Sequence, residues 1–428
     1  GEKALSMHPI KDHQEQQQYF DYGKSLPIKE NIIGKLKENT VKGSQFKQPM
    51  LEFHGACAGC GETPYAILIT RLFGSRMYVA NATGCSSIWA NSSPSTAYTA
   101  NILGQGPAWS NSLFEDAAEF GYGMVLAQNA VRNRLKEKAI LLLCQLENKH
   151  NKSGLVLHDA LEQWLTTFSQ GQANTAASNK LIGVLESHTS VSGYCLELLE
   201  GKNFLSKKSQ WIFGGDGWAY DIGYGGLDHV LASGEDINVL VFDTEVYSNT
   251  GGQASKATPM GSTAKFTSGG KKRKKKDLAS MAMTYGYIYV AQIAMGADYN
   301  QTIKAITEAE AYPGPSLIIA YAPCISHGIR SGMGSSQHEE AKAVEAGYWH
   351  LFRFNPALKE EGKNPFILDS KEPSMDYAEF LSGENRYDVL KRMHPDIAEK
   401  LFAQAAGYAK ERYHYLHKLI DLYGTNLL

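Results

Sequence analysis

Two apolar runs, each ending in a polar loop, decide the fold. The first is WIFGGDGW at Trp211–Trp218, and the second is INVLVFDTEVYSN at Ile237–Asn249. Both runs are short and lack polar alternation, which is typical of strands buried on both faces of a parallel sheet. A helical pattern at Gly226–Ser233 separates them. The stretch therefore predicts a strand–helix–strand unit.

The same pattern continues on both sides of this unit. Further strands and helices are predicted at Met77–Ala82, Ile288–Gln292 and Ser316–Tyr321, and at Tyr65–Phe73, Asp277–Tyr285 and Tyr299–Ala311, respectively. The alternation predicts an α/β protein whose mainly parallel sheet has helices on both faces. Three parts are expected: an arm or linker at 1–50, an α/β domain at 51–355 with a helical subdomain inserted at about 145–205, and a helical extension at 356–428.

Composition and charge narrow the class of protein. The chain has 428 residues, of which 43% are hydrophobic and 20% charged, as in ordinary globular proteins. The net charge of −2 predicts neither nucleic acid nor a membrane surface as a partner. No apolar run approaches the ~20 residues that span a bilayer, and the start, GEKAL, lacks a signal-peptide layout. The cytoplasm is the expected compartment, with an anaerobic organelle such as a hydrogenosome as the alternative. The missing initial Met suggests a processed form or a piece of a longer protein.

The polar loops after the two apolar runs predict a magnesium and diphosphate site. Asp216 and Thr244 are 28 residues apart, which fits one helix and one strand, so both loops should meet at one sheet edge. A carboxylate, a hydroxyl and a backbone carbonyl suit Mg²⁺ together with phosphate oxygens. The glycines beside Asp216 allow backbone N–H groups to approach a diphosphate. Gly-Asp-Gly alone is a common turn, so the prediction depends on its distance from Thr244–Asn249.

Four cysteines in loops indicate a metal centre. Cys57 and Cys60 form a C-x2-C in a glycine-rich loop, Cys85 follows a predicted strand, and Cys324 follows another. Four such thiols, with no histidine at zinc-finger spacing, suit either a [4Fe–4S] cluster or a Cys₄ zinc site. A redox dithiol at Cys57 and Cys60 is a further alternative. Cys144 and Cys195 lie on apolar helical faces and are predicted to be core residues.

These motifs resemble pyruvate:ferredoxin (flavodoxin) oxidoreductase, in its C-terminal portion that binds thiamine diphosphate. The resemblance is carried by four segments, Gly55–Tyr65, Ala82–Ser87, Gly214–Gly226 and Asp243–Gln253, and extends from about Thr40 to Leu428. It implies the thiamine diphosphate-binding fold. It also implies oxidative decarboxylation of pyruvate with coenzyme A to acetyl-CoA and CO₂, with electrons passing through the nearest cluster to ferredoxin or flavodoxin.

The resemblance implies roles for the matching residues. Mg²⁺ would be held by Asp216, the Thr244 side chain and the Val246 carbonyl. A [4Fe–4S] cluster would be held by Cys57, Cys60, Cys85 and Cys324. Thiamine diphosphate would be contacted by Glu62, Cys85, Gly215, Asp216, Gly217, Trp218, Thr244, Glu245, Val246, Tyr247, Ser248 and Asn249. Asn249 would be the catalytic residue that faces the reacting carbon.

Parts of the family's machinery are not visible in this sequence. The family needs a second domain whose glutamate protonates the thiamine aminopyrimidine, and that domain also binds the substrate. No C-x2-C-x2-C-x3-C run of a two-cluster ferredoxin domain occurs. We therefore expect the chain to be inactive alone and to be completed by missing N-terminal domains or a partner chain. The resemblance further implies a homodimer.

Several alternatives remain open at this stage. The substrate could be another 2-oxoacid, since the residues that select it lie mostly outside this chain. A different class of protein is a non-catalytic metal-binding module whose basic run, Lys271–Lys276, binds nucleic acid. That run is more simply interpreted as a solvated loop, and a third interpretation is a docking surface for an acidic ferredoxin or a phosphate of coenzyme A.

Overall fold

The computed structural model describes residues 6–26, 34–92, 95–146 and 152–424 of the chain. Within those ranges the strands of the main sheet are β1 Met77–Ala82, β4 Ala108–Ser112, β5 Ser209–Gly215, β6 Asn238–Asp243, β7 Tyr289–Ile293, β8 Ser316–Tyr321, β9 Phe352–Phe354 and β10 Phe366–Leu368. The two-residue strands β2 Asn91–Ser92 and β3 Ser95–Thr96 form a separate ribbon. The main sheet has the order β10-β9-β7-β8-β6-β5-β1-β4.

The sheet is mainly parallel, as predicted. Six neighbouring strands, from β7 to β4 in that order, pair in parallel. The short strand β9 runs antiparallel to β7, and β10 runs antiparallel to β9. The predicted bounds of β1 and β8 are confirmed, and β6 and β7 each begin and end one residue later than predicted. The sequence analysis missed β4, β9 and β10.

Helices fill the connections between strands. The α-helices in the described residues are Gln17–Ser25, Val41–Ser44, Thr63–Phe73, Cys85–Ala90, Ala117–Leu146, Lys152–Thr166, Gly171–Glu186, Gly193–Glu200, Tyr224–Ala232, Leu278–Met283, Tyr299–Ala311, Ser336–Glu345, Tyr377–Ser382, Asn385–Met393 and Pro395–Gly424. Local signals set several starts. The Asp298 carboxylate accepts two backbone N–H groups at the start of Tyr299–Ala311, and Pro64 lies in the first turn of Thr63–Phe73.

Both faces of the sheet are buried against helices. Every residue of β6 is buried, and its side chains alternate between two hydrophobic clusters. Val239 and Val241 belong to one cluster, and Leu240 and Phe242 to the other. This explains why the sequence of the strand shows no polar alternation. The expectation of helices on both faces is confirmed.

A helical subdomain with its own core lies between β4 and β5. Its cluster extends from Leu135, in the second half of Ala117–Leu146, to Leu205, and it includes the fully buried Trp164. Cys195 is buried in this core as predicted, but Cys144 is exposed, so the prediction of a core position for Cys144 is wrong. The helix Ala117–Leu146 leads into this subdomain, and residues 147–151 lie outside the described ranges.

The two terminal segments differ in how they pack. The helix Gln17–Ser25 has no buried residue, while 1–5 and 27–33 of the predicted arm lie outside the described residues. The segment predicted as a helical extension also contains β10, and its long helix Pro395–Gly424 places Tyr423 against Phe354 of β9. The domain limits at 50 and 355 stay predictions. No helix in the described part of the chain is both long and apolar enough to cross a membrane.

A buried carboxyl group ties helices to the carboxyl ends of β7 and β8. The Tyr65 hydroxyl lies 2.9 Å from the Tyr321 carbonyl oxygen and 3.0 Å from Glu340 Oε2. The Gly296 N–H donates to the same Glu340 oxygen at 2.8 Å. Burial raises the pKa of Glu340 to about 8, and these hydrogen bonds only partly oppose that effect.

Glu340→Gln should reduce the pH dependence of stability. Because the pKa of Glu340 is raised in the folded chain, its carboxyl group keeps its proton between about pH 5 and pH 8. In the unfolded chain the same carboxyl group has already lost its proton in this range. The free energy of unfolding of the wild type therefore falls as pH rises through that window, and the variant should gain on the order of 1–3 kcal/mol relative to it by about pH 8. Urea unfolding at several pH values measures this. An unchanged difference between the two proteins across the window would contradict the assignment.

Candidate functional site

The topology brings four predicted site loops to one edge of the sheet. Strands β8, β6, β5 and β1 are consecutive and parallel. Their carboxyl ends are followed by Cys324, Thr244, Asp216 and Cys85, respectively. Ligands of such sheets bind at this edge. The structure therefore places the predicted metal residues of both kinds side by side.

Three oxygen atoms have the spacing of magnesium ligands. Thr244 Oγ1 lies 2.9 Å from Asp216 Oδ1 and 3.0 Å from the Val246 carbonyl oxygen. Neighbouring ligands of an octahedral Mg²⁺ at 2.0–2.1 Å are about 2.9 Å apart. The donor set of a carboxylate, a hydroxyl and a carbonyl therefore fits Mg²⁺, with the remaining positions available to phosphate and water.

The Asp216 carboxylate forms no direct ion pair among the described residues, and the charge of Lys275 acts on it only from farther away. It is fully buried, and no Lys, Arg or His nitrogen of the described residues lies within 4 Å of it. Ser255 Oγ donates to its Oδ2 at 2.5 Å. Burial first, and the nearby negative charge of Asp243 second, raise the pKa of Asp216 well above its ordinary value. A divalent cation at this position would supply the missing positive charge.

The glycines around Asp216 have distinct tasks. A Cβ at Gly217 would lie 2.5 Å from the Tyr247 ring, so glycine permits the two loops to approach closely. At Gly215, the nearest atom to such a Cβ would be 3.9 Å away, which leaves room for a ligand beside the backbone. Trp218 is fully buried and packs on Gly214, so its side chain is a core element.

The Glu245 carboxylate is engaged by residues outside the proposed cofactor site. Its Oε1 pairs with Lys275 Nζ at 2.9 Å, and its Oε2 pairs with Arg386 and accepts from the Tyr348 hydroxyl. These cations lower the pKa of Glu245 to about 2, against the effect of burial. The backbone of Glu245 is what remains for the predicted cofactor contact.

The four loop cysteines border one cavity of about 140 Å³. Cys57, Cys60, Cys85 and Cys324 share its walls with Glu62, Ile88, Trp89, Thr244, Ser248, Asn249, Pro323 and Ile325. Burial, followed by the charge of Glu62, raises the pKa of Cys60 to about 12. The thiols of Cys60 and Cys324 also help raise the pKa of Cys85. The sequence prediction that these cysteines converge is supported by this shared cavity.

The loop thiols do not form a closed metal-binding group in the described residues. In a Cys₄ zinc site with Zn–S near 2.3 Å, sulfur atoms are roughly 3.8 Å apart. Among the described residues, the one group of three or more potential metal-binding side chains with ligand atoms within 4.8 Å is His158, Asp159 and Glu162. No three of the loop cysteines are that close.

Backbone contacts hold the cysteine loops together. The Gly61 N–H donates to the Pro323 carbonyl at 3.0 Å, and the Gly55 N–H donates to the Trp89 carbonyl at 3.0 Å. Glycine is required at 61, because a Cβ there would lie 2.6 Å from Pro323. The C-x2-C loop is thereby fixed against the segment that carries Cys324.

Glu62 and Asn249 connect the two candidate sites. Glu62 is buried, and its Oε2 accepts from Trp89 Nε1 at 2.7 Å. Burial raises the pKa of Glu62 to about 7, although the Trp89 hydrogen bond opposes this. Asn249 forms a side-chain hydrogen bond to Cys85 that lowers the pKa of the thiol. Both predicted cofactor residues therefore lie at the cysteine cavity.

Sequence analysis missed the residues that support the site from behind. His327 Nε2 lies 2.7 Å from the Thr244 carbonyl oxygen, and burial lowers the pKa of this histidine to about 3. The interpretation of Lys271–Lys276 as a solvated loop is wrong for Lys271, Lys275 and Lys276, which are half-buried. Lys271 Nζ donates to the Ser255 carbonyl. Lys275 Nζ lies 2.8 Å from Asp243 Oδ2, and Lys276 Nζ donates to the Tyr220 carbonyl. An inward lysine in a run of lysines has no distinguishing sequence signal.

A larger cavity lies behind the motif loop. It measures about 460 Å³ and is bordered by the basic run, Trp349, His350 and the helix Pro395–Gly424. Of the predicted site residues, it contacts only Glu245. It contains none of the predicted ligands, so its greater size does not identify it as the reaction site.

Comparison with known proteins gives the context of this geometry. Residues 187–320 match the family model for the C-terminal TPP binding domain of thiamine pyrophosphate enzymes. The chain is 56% identical over 96% of its length to pyruvate-flavodoxin oxidoreductase from Enterobacter agglomerans. It is 54% identical over 98% of its length to pyruvate:ferredoxin oxidoreductase from Moorella thermoacetica, and 50% identical over 89% to mitochondrial pyruvate dehydrogenase [NADP(+)] from Euglena gracilis. The resemblance inferred from the motifs is confirmed.

The chain corresponds to only part of these relatives. It spans 34% of the Enterobacter protein, 35% of the Moorella protein and 21% of the Euglena protein. A solved 2-oxoglutarate:ferredoxin oxidoreductase from Magnetococcus marinus aligns with 79% of this chain and 88% of that chain, at 14% identity and a TM-score of 0.40.

Gly61→Ala should lower iron incorporation. The added Cβ must displace Pro323 and with it Cys324, because the contact would be 2.6 Å. Gly55→Ala is the matched control in the same loop, since nothing lies within 4 Å of its Cβ position. Iron per chain and absorption near 400 nm after anaerobic reconstitution measure the effect. Equal iron in the two variants would contradict the proposed convergence of the loops.

Proposed function

We propose that the chain is the thiamine diphosphate- and [4Fe–4S]-binding portion of a pyruvate:ferredoxin (flavodoxin) oxidoreductase. The assembled enzyme would convert pyruvate, coenzyme A and two oxidised one-electron carriers to acetyl-CoA, CO₂ and two reduced carriers. The observation that carries this proposal is that the magnesium loop and the four cysteines border the same cavity. Thr244, Ser248 and Asn249, from the loop with the magnesium donors, border the cavity that the four cysteines surround.

The two groups supply chemistry that side chains lack. When bound, thiamine diphosphate provides an electron sink for decarboxylation, and an iron–sulfur cluster accepts electrons one at a time. Asp216, Thr244 and Val246 would hold the Mg²⁺ that orients the diphosphate, and the open backbone beside Gly215 would receive it. The four cysteines would hold the cluster directly beside this loop.

Other residues of the chain would shape the reaction space. Ile88, Trp89 and Ile325 form an apolar part of the cavity wall. Glu62, with its pKa near 7, and Asn249 present polar groups between the cysteines and the cofactor loop. Asn249 is the residue that we propose faces the reacting carbon. Glu62 and Cys85 would contact the cofactor from the other side.

The proposal needs parts beyond this chain. The relatives are about three times as long, so further domains or a partner chain would supply the second half of the thiamine site and the substrate-binding residues. We also propose a homodimer, and a reducing compartment such as the cytoplasm or an anaerobic organelle, which suits six free thiols.

The names of the relatives bear on the substrate and the electron acceptor. Pyruvate is proposed because it appears in the names of all three relatives, and another 2-oxoacid is the alternative. The Euglena relative is named for NADP(+), whereas the others are named for flavodoxin or ferredoxin. The names of the relatives therefore do not agree on one electron acceptor.

Asp216→Ala in the complete enzyme tests the proposed function. Loss of a metal-binding carboxylate should lower the rate of pyruvate- and coenzyme A-dependent ferredoxin reduction at least about 100-fold, because even outer-shell changes cost ~10–100-fold. Iron content should not change, since Asp216 does not border the cysteine cavity. Glu186→Ala, at an exposed carboxylate of the helical subdomain, is the control. Retention of wild-type activity by Asp216→Ala would overturn the magnesium assignment and the proposed function with it.

A further inference from the structure

The proposed magnesium loop rests on a buried cluster of charged residues. Asp243 and Glu245 flank Thr244, and both carboxylates are almost completely buried. Lys275 Nζ bridges them, at 2.8 Å from Asp243 Oδ2 and 2.9 Å from Glu245 Oε1. A single lysine from a segment outside the motif thus contacts both neighbours of a proposed metal-binding residue.

A second cation approaches Glu245 from the C-terminal segment. Arg386 lies 2.9 Å from Glu245 Oε2, and it is itself held by Glu384 at 2.6 Å. The Tyr348 hydroxyl donates to the same Glu245 oxygen at 2.5 Å and accepts from Arg386 at 3.1 Å. Both oxygens of Glu245 are therefore fixed by partners from three separate parts of the chain.

This anchoring occurs at a strained backbone position. Glu245 has a φ of 61°, in the left-handed region that a residue with a side chain adopts only when its surroundings enforce it. Glu245 stands between Thr244 and Val246, whose oxygens are 3.0 Å apart. If φ at 245 returned to the usual region, the Val246 carbonyl would turn away from Thr244.

The backbone on either side is held as well. Thr258 Oγ1 donates to the Glu245 carbonyl at 2.6 Å, and His327 Nε2 contacts the Thr244 carbonyl oxygen at 2.7 Å. These contacts fix the carbonyl groups, while Lys275 and Arg386 fix the side chain and offset its charge. Without the cations, Asp243 and Glu245 would be unpaired charges in the interior.

We propose that Lys275 and Arg386 are positioning residues that act through Glu245 to set the backbone presenting Thr244 and Val246 to the Mg²⁺–diphosphate group. This inference rests on the proposed cofactor site but extends it to residues outside the recognisable motif. It also gives the end of the Lys271–Lys276 run a role that its sequence does not reveal.

Binding of Mn²⁺ in the presence of thiamine diphosphate tests the proposal without an activity assay. The dissociation constant is measured in the complete enzyme from the paramagnetic resonance signal of free Mn²⁺. Lys275→Met should weaken binding by ~10–100-fold, the range for residues that orient metal ligands. Lys275→Arg keeps the charge and should restore binding to within about 3-fold of the wild type. Lys272→Met, an exposed lysine of the same run, should bind as the wild type does.

A double-mutant cycle separates positioning from general destabilisation. Glu245→Gln removes the buried charge that Lys275 neutralises, so the variant Lys275→Met with Glu245→Gln lacks the unpaired Glu245 carboxylate. If Lys275 acts through Glu245, the double variant should bind Mn²⁺ no more weakly than the weaker single variant. If the double variant loses Mn²⁺ affinity by the product of the two single-variant losses, Lys275 does not act through Glu245, and the proposal is overturned. If Lys275→Met alone does not fold, the double variant decides, and wild-type affinity in it would overturn the proposal.

The outcomes distinguish this inference from the proposed function. A wild-type enzyme that binds no Mn²⁺ with thiamine diphosphate would overturn the cofactor site itself. A wild-type enzyme that binds, together with Lys275→Met binding within about 2-fold of Lys272→Met, would overturn the positioning role alone. Iron content is measured in parallel, and weakened Mn²⁺ binding with unchanged iron is the result that we expect.

Discussion

The buried Asp216 carboxylate, which no cationic nitrogen of the described residues approaches within 4 Å, is the constraint on which the site depends. Its position follows from the sheet, because β5 ends at Gly215 and delivers Asp216 next to the loop after β6. The protein satisfies the neighbouring carboxylates Asp243 and Glu245 with Lys275 and Arg386 and leaves Asp216 to hydroxyl groups. Such a distribution of charge is stable when a divalent cation completes it.

The same strand order explains why a one-electron centre would lie beside the cofactor. Cys85 and Cys324 follow β1 and β8, which flank β5 and β6, so their loops close around the motif loop from both sides. The C-x2-C loop belongs to no strand and depends on the close contact between Gly61 and Pro323. The cysteine cavity is therefore bordered by three loops that follow strands β1, β6 and β8, and by the C-x2-C loop, which is held by packing against Pro323.

The sequence was informative where burial and backbone geometry restrict residue choice. Strands buried on both faces, such as β6 and β8, were predicted to within a residue because most of their positions are apolar. The strands β9 and β10 were missed because three residues carry no periodicity, and the exposed positions of β4 hide its pattern. The motif residues were predicted because Gly, Asp and Cys at loop positions indicate specific chemistry.

The support of the site was not predictable, because it depends on contacts across long distances in sequence. Lys275 resembles its solvated neighbours, and Arg386 lies 141 residues beyond Glu245 in a segment predicted only as helical. The sequence close to Lys275 or Arg386 contains no feature that distinguishes either residue from its neighbours. Likewise, the contact of His327 with Thr244 depends on the turn after β8.

Metal and cofactor content of the anaerobically purified protein tests the central claim most directly. The account predicts about four irons, one Mg²⁺ and one thiamine diphosphate for each copy of this chain, since each copy carries one cysteine cavity and one set of magnesium donors. Zinc in place of iron, with no thiamine diphosphate, would contradict it. That result would leave the fold unchanged and make the chain a non-catalytic metal-binding protein.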